Sequence, residues 1–354
     1  MSGREKDTGD LMKDPQESPS GLFDLLDRSM EGVYRVAAIN AGLDIGLFDL
    51  CERRCTSQDL AKRTGCDPGM IERLCVALAS IGLLDMSGDG YRTTRLSSVF
   101  LVRDSPFAQV EYVRKLVRHM RDYWVPLPGI LREGPVKYRS DRFFAELSLP
   151  AMAENALCGR LQATVREIAK QPGFPEFLKM VDLGGGHGLY AIAIASLLPS
   201  LEAYVFDLPF VTTLADQYIR EYGMEDRVHT IAGDFFTDEI GSGYDLVFSS
   251  SNPSGKSERM LQKISAALKE GGIFVNEQAT GGREKSPFTE LEWLLWTLDG
   301  EKKGGERYTK EKDFLTQEYL DSLRDHNLDL VSVTEIEDNY HTGHSVKMII
   351  AKKR

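Results

Sequence analysis

Apolar positions recur at helical spacing through the first third of the chain and in short runs between amphipathic helices through the last half. Leu25, Leu26, Met30, Val33, Tyr34 and Ala37 predict helix over 21–50. Thr56 is placed to cap a short helix that Gly65 ends, and Asp67-Pro68 opens another with the stripe Ile71, Leu74, Cys75, Leu78 and Ile81. Leu83–Met86 and Tyr91–Thr94 flank the turn Ser87-Gly88-Asp89-Gly90 and read as a β-hairpin. Three helices and a hairpin predict a winged helix over 21–106, behind a polar, solvated tail at 1–20. Residues 107–177 read as a largely helical linker, and Gly271-Gly272 reads as the stop of the helix carrying Met260, Leu261, Ile264 and Leu268.

From 178 to 354 strand and helix patterns alternate, which predicts a parallel sheet. The last two strands, Leu328–Ile336 and Val346–Ala351, are joined by a short segment and are therefore expected to be antiparallel. The fold class is α/β: a doubly wound, Rossmann-like sheet with an N-terminal winged-helix domain.

The sheet region is organised around Val181-Asp182-Leu183-Gly184-Gly185-Gly186-His187-Gly188. A short strand enters four glycines within five residues, followed by a helix apolar on almost every side. Such backbone can turn sharply and admit a ligand closely. The spacing is not the G-x-G-x-x-G of a dinucleotide site. Asp182 stands just before the loop and suits a ligand with an ammonium group, while Asp207 ends the next strand, where an acid accepts hydrogen bonds from ribose hydroxyls. Together these favour S-adenosylmethionine (SAM) over NAD.

Charge narrows the partners. Lys and Arg number 43 against 54 Asp and Glu, a formal charge of −11. The third helix of the winged module carries only Arg73 as a cation, too little for a polyanion, so a metabolite-sensing DNA regulator is the disfavoured alternative. No apolar run spans a bilayer and the first twenty residues have no signal-peptide core, so a cytoplasmic protein without membrane or nucleic-acid partner is expected. Cys51, Cys55, Cys66 and Cys75 match no common zinc spacing, and no metal site is expected.

The motifs VDLGGGHG, VFDLP, VHTIAGDFF, ALKEGG with VNE, and GGERYT stand in one order, and with them the chain resembles the SAM-dependent O-methyltransferases of the hydroxyindole/caffeate type from residue 21 to 354. The resemblance implies a homodimer formed through the winged module and a small-molecule methyl acceptor. It implies SAM contacts at Asp182, Gly184, Gly185, Gly186, Asp207, Leu208, Gly233, Asp234, Phe235, Ser249 and Ser250, with Asp234 and Phe235 bracketing the adenine. His119, Trp124, Phe144, Asn252, Trp293 and Trp296 are the acceptor-side candidates; Trp293 and Trp296 are read as lying on one helix, and their bulk suggests an aromatic or polycyclic substrate. The family's His-Asp pair after the fourth strand is missing: Ser249–Lys256 holds no histidine. Either the acceptor is already anionic or soft, or Glu277, Glu306 or His341 (with His344 beside it) serves as the base.

Overall fold

The computed structural model describes residues 8, 12–280, 286–301, 303, 315–336 and 345–354. Two units divide the chain, Met1–Val102 and Arg103–Arg354.

The first unit opens on α1 (Ser20–Asp44). The sequence predicts one helix to residue 50, but Gly46 at φ 68° breaks it and α2 (Leu47–Leu50) follows. After β1 (Cys55–Thr56), α3 (Ser57–Thr64) starts on a capping box: the Thr56 hydroxyl accepts from the Asp59 N–H while the Asp59 carboxylate accepts from the Thr56 N–H. Gly65 closes it in the left-handed region, and Asp67 caps α4 (Pro68–Ser80). The wing strands β2 (Leu84–Ser87) and β3 (Gly90–Thr93) pair antiparallel, β1 adds to β3, and α5 (Arg95–Phe100) ends the unit. This is the winged helix the pattern predicts.

The second unit begins with α6 (Val110–His119), a π-helical turn over Met120–Trp124, and α7 (Leu127–Glu133). A strand the sequence does not predict, β4 (Val136–Tyr138), comes next. Then follow α8 (Ser140–Arg142), a second π-helical turn over Phe143–Ser148, α9 (Leu149–Ala156) and α10 (Arg160–Ala169). The main sheet starts at β5 (Lys179–Leu183), then α11 (Leu189–Leu197), β6 (Glu202–Asp207), α12 (Pro209–Glu221), β7 (Val228–Ala232), β8 (Tyr244–Ser250) and α13 (Glu258–Ala267). β9 (Leu268–Thr280) begins directly after α13, so the helix ends before Gly271-Gly272, which lie inside the strand where its register shifts. Next come α14 (Pro287–Leu294), β10 (Trp296–Leu298), α15 (Gln317–Asp325), β11 (Leu328–Ile336) and β12 (Ser345–Lys353). Trp296 thus lies on a strand paired with β4, not on the helix of Trp293.

The seven strands order as β11-β12-β9-β8-β5-β6-β7. β5 through β9 are parallel, while β12 is antiparallel to both β9 and β11. Strand order reverses between β5 and β8, so their following loops part at the carboxyl edge and leave a crevice. Apolar layers on both faces exclude water from the sheet: Ile194, Ala203, Phe248 and Val275 belong to one, Val247, Leu261, Phe274 and Leu323 to the other.

Candidate active site

The crevice is a cavity of about 550 Å³. Its first wall is backbone. Leaving β5, the chain passes Gly184 (φ 65°) and Gly186 (φ 56°), conformations that an L side chain resists. Gly185, between them, is glycine for a different reason: a Cβ there would stand 2.7 Å from Asp182 Cγ and 2.9 Å from Val205 Cγ1. Asp182 is 1% exposed, and its Oδ2 has no hydrogen-bond partner among the described residues. Burial, with the charges of Asp207 and Glu277 nearby, pushes its carboxyl up to about 8. A buried carboxylate with an unused oxygen on a cavity wall is a seat for a cation. Asp207, at the end of β6, accepts from the Gly186 N–H at 2.8 Å and the Leu208 N–H at 2.7 Å; burial pushes it up to about 6 against the pull of those two donors. Gly233, Asp234 and Phe235 form the facing lip. Asp234 shapes it by accepting from the Phe236 N–H.

The second wall is side chain. Phe144 reaches it from the second π-helical turn, Met152 and Asn155 from α9, and Trp293 from α14. Where β8 ends, Ser251 takes φ 55°, a strained choice for a residue with a Cβ. The turn it opens is locked by Asn252, whose amide donates to the Leu183 carbonyl at 2.7 Å and whose Oδ1 accepts from the Ser254 N–H at 2.9 Å. Lys256 follows on the cavity wall, its ammonium made less favourable by burial. His187 also lines the cavity; its Nδ1 accepts from the Leu189 N–H, and burial pulls the ring down to about 4, so it stays neutral with its proton on Nε2.

Ten of the eleven residues expected at the cofactor line this cavity: Asp182, Gly184, Gly185, Gly186, Asp207, Leu208, Gly233, Asp234, Phe235 and Ser250. Ser249 does not; its fully buried hydroxyl is used by Ser254 behind the turn. On the acceptor side Phe144, Asn252 and Trp293 line it, whereas His119, Trp124 and Trp296 do not. Trp296 is stacked on Phe143 at 4.6 Å, and His119 and Trp124 both bond to Glu292. Glu277, expected as a base, is 0% exposed and behind the wall. Its carboxylate accepts from Arg160 Nε at 2.6 Å, Ser250 Oγ at 3.1 Å and the Thr164 hydroxyl, and it is not among the residues lining the cavity. Glu306, His341 and His344 lie outside the described residues. Among the described residues no group of three or more His, Cys, Asp or Glu could hold a metal ion.

Sequence reasoning missed Arg160, Met152, Asn155, Tyr190, Lys256 and Gln278, which all line the cavity. None of these carried a local signal; Lys256, for one, stands between Gly255 and Ser257 in a polar stretch.

An unused buried carboxylate oxygen, a loop with no room for Cβ, and a second carboxylate at the end of β6 fit a nucleoside bearing a cationic amino-acid arm. Comparison with known proteins agrees. Residues 138–319 match the family model of the O-methyltransferase domain and 21–103 that of the O-methyltransferase dimerisation domain. An uncharacterised protein of Methanocaldococcus jannaschii is 30% identical over 337 residues, 93% of this chain and 90% of its own. The 3-hydroxy-5-methyl-1-naphthoate 3-O-methyltransferase of Streptomyces sahachiroi is 28% identical over 311 residues, 85% of this chain and 88% of its own. The fold is shared with human N-acetylserotonin methyltransferase in complex with SAM, at a TM-score of 0.69 and 22% identity over 96% of this chain and 99% of that one. The chain belongs to the O-methyltransferase family and is a SAM-dependent methyltransferase.

Proposed function

We propose that the protein transfers a methyl group in line to a small aromatic or polycyclic molecule whose accepting atom is already anionic or soft, without a histidine base after β8. The observation that carries this reading is the turn Ser249–Asn252: hydroxyls and an amide, bonded to one another and to Leu183, stand where the family's base would be. When bound, SAM supplies an electrophilic methyl on a sulfonium. The chain's own residues bind and orient. Asp182 takes the ammonium group, Gly184, Gly185 and Gly186 seat the methionine arm, Asp207 accepts from the ribose, and Asp234 and Phe235 flank the adenine. Leu208, Gly233 and Ser250 complete that wall.

Positioning of this kind supplies ~7–11 kcal/mol in favourable cases, against the 10²–10⁴-fold that a general base adds in rough terms. An ionised or soft acceptor, such as a carboxylate, thiolate, acidic phenol or stabilised carbanion, therefore needs no proton removed at the turn. Phe144, Trp293 and Asn252 face the acceptor. Glu277 acts through Arg160, which it holds against the Ser250 and Ser251 hydroxyls, while Glu306 and His341 remain the bases to test. The molecule works as a homodimer through the winged unit; α1 leaves Leu22, Phe23, Leu25, Leu26 and Tyr34 exposed on that unit, an apolar surface a second copy would cover.

The test has two arms. S-adenosylhomocysteine (SAH) at a hundred times its Kd should stabilise the protein by about 2.7 kcal/mol. Mass spectrometry of phenol, carboxylate, thiol and amine panels with SAM should show methylation of an ionised or soft group. Lack of a thermal shift at millimolar SAH would remove the cofactor assignment, and exclusive turnover of un-ionised alcohols would remove the base-free mechanism.

A further inference from the structure

His119 and Trp124 are drawn together by an unusual helix end. Five residues apart, they would stand about 140° apart around an α-helix. The π-helical turn over Met120–Trp124 closes on the fifth residue, with the Val125 N–H bonded to the Met120 carbonyl at 2.9 Å. Both side chains consequently reach one carboxylate: His119 Nδ1 is 3.0 Å from Glu292 Oε1, and the Trp124 indole N–H donates to Glu292 Oε2 at 2.9 Å. The next residue, Trp293, lines the cavity. Its ring is held edge-on by Trp296 at 5.2 Å and 83°, and Lys303 Nζ stands 4.0 Å from its centroid.

We propose that Glu292, gripped by His119 and Trp124, is the positioning residue of the acceptor wall: it fixes the seat of the Trp293 ring and so selects which flat apolar molecules enter beside the cofactor. The proposal rests on the aromatic-acceptor reading above. Along α14 the partly buried residues are Leu291, Glu292 and Trp293, while Phe288 and Leu294 are exposed. Two hydrogen bonds to one carboxylate, together with the Trp296 and Lys303 contacts on Trp293, thus set where the helix, and the ring on it, come to rest. His119 hydrogen bonding holds the Glu292 carboxyl below the ordinary range, so the acceptor of both bonds stays ionised.

The chain has three tryptophans, and all three belong to this assembly, so intrinsic fluorescence reads it directly. Full-length Glu292→Ala, Glu292→Gln and wild type are compared by emission, acrylamide quenching, SAH calorimetry and binding of 2-naphthol to the SAH complex. For Glu292→Ala a red-shifted emission, quenching raised about twofold and 2-naphthol affinity lowered about tenfold are expected, with SAH affinity within about threefold of wild type. Glu292→Gln, which still accepts from Trp124, should recover most of the emission and affinity. Unchanged emission and quenching in Glu292→Ala, or a parallel collapse of SAH binding, overturns the proposal. Failure of 2-naphthol to bind the wild type counts against the aromatic-acceptor reading alone, because the fluorescence of the ligand-free variants still decides the positioning role.

Discussion

The two walls of the cavity are built by opposite means. The wall proposed for the cofactor is backbone and short side chains at consecutive strand ends: the Gly184–Gly186 loop after β5, Asp207 after β6 and Gly233–Phe235 after β7. The wall proposed for the acceptor is long side chains from four distant segments: the second π-helical turn, α9 and α10, the Ser251–Lys256 turn, and α14. A backbone wall is fixed by the sheet that carries it. A side-chain wall depends instead on networks such as the buried Arg160–Glu277–Thr164 and the part-buried His119–Glu292–Trp124.

The separation predicts which change damages which function. The largest loss of stability should follow Arg160→Met, which strands the fully buried Glu277 carboxylate; breaking such a pair costs roughly 3–5 kcal/mol, and adding Glu277→Gln should restore most of it in thermal denaturation. An Arg160→Met protein as stable as wild type would show that the acceptor wall does not lean on this pair. Gly185→Ala should leave the acceptor wall intact yet weaken SAH about a hundredfold by calorimetry, because the new methyl collides with Asp182 and Val205.

Asp182→Asn should weaken SAH by about 10–100-fold through loss of a charged partner. It should also change the pH dependence. Asp182 keeps its proton in the ligand-free fold up to about 8, whereas the unfolded chain releases it in the ordinary carboxylate range. The folded state thus holds the extra proton between those values, and stability falls as pH rises through them. Calorimetric scans should show that decline in the wild type and a flatter one in Asp182→Asn, while wild-type affinity for SAH should increase toward pH 8. The smallest effect is expected from Asp207→Asn, about 1 kcal/mol of stability, since the amide oxygen still accepts one of the Gly186 and Leu208 N–H groups.

Legibility follows the same division. The glycine loop, Asp207 and Gly233–Phe235 could be read from the sequence because each is a local signal: a turn chemistry or an acid immediately after an apolar strand. The winged helix was legible through its caps, Thr56 and Asp67, and its two-residue wing turn. The break at Gly46 was not, since it hangs on a single left-handed glycine inside the apolar period, nor was the end of α13 at Ala267, because strand pairing outweighed that period. Trp296 was placed on a helix for that reason; pairing with β4, more than 150 positions earlier, makes it a strand.

By itself, the sequence determined the doubly wound sheet, the glycine loop that opens on the cavity and the dependence on SAM, since their signals lie in residues within a few positions of one another. Only the tertiary structure decided that Glu277 is buried against Arg160, that His119 and Trp124 serve Glu292 rather than face the cavity, and that Met152, Asn155 and Lys256 line it. The physical reason is distance along the chain: hydrogen bonds and burial between segments over a hundred residues apart leave no periodic or local mark for a reader of the sequence to find.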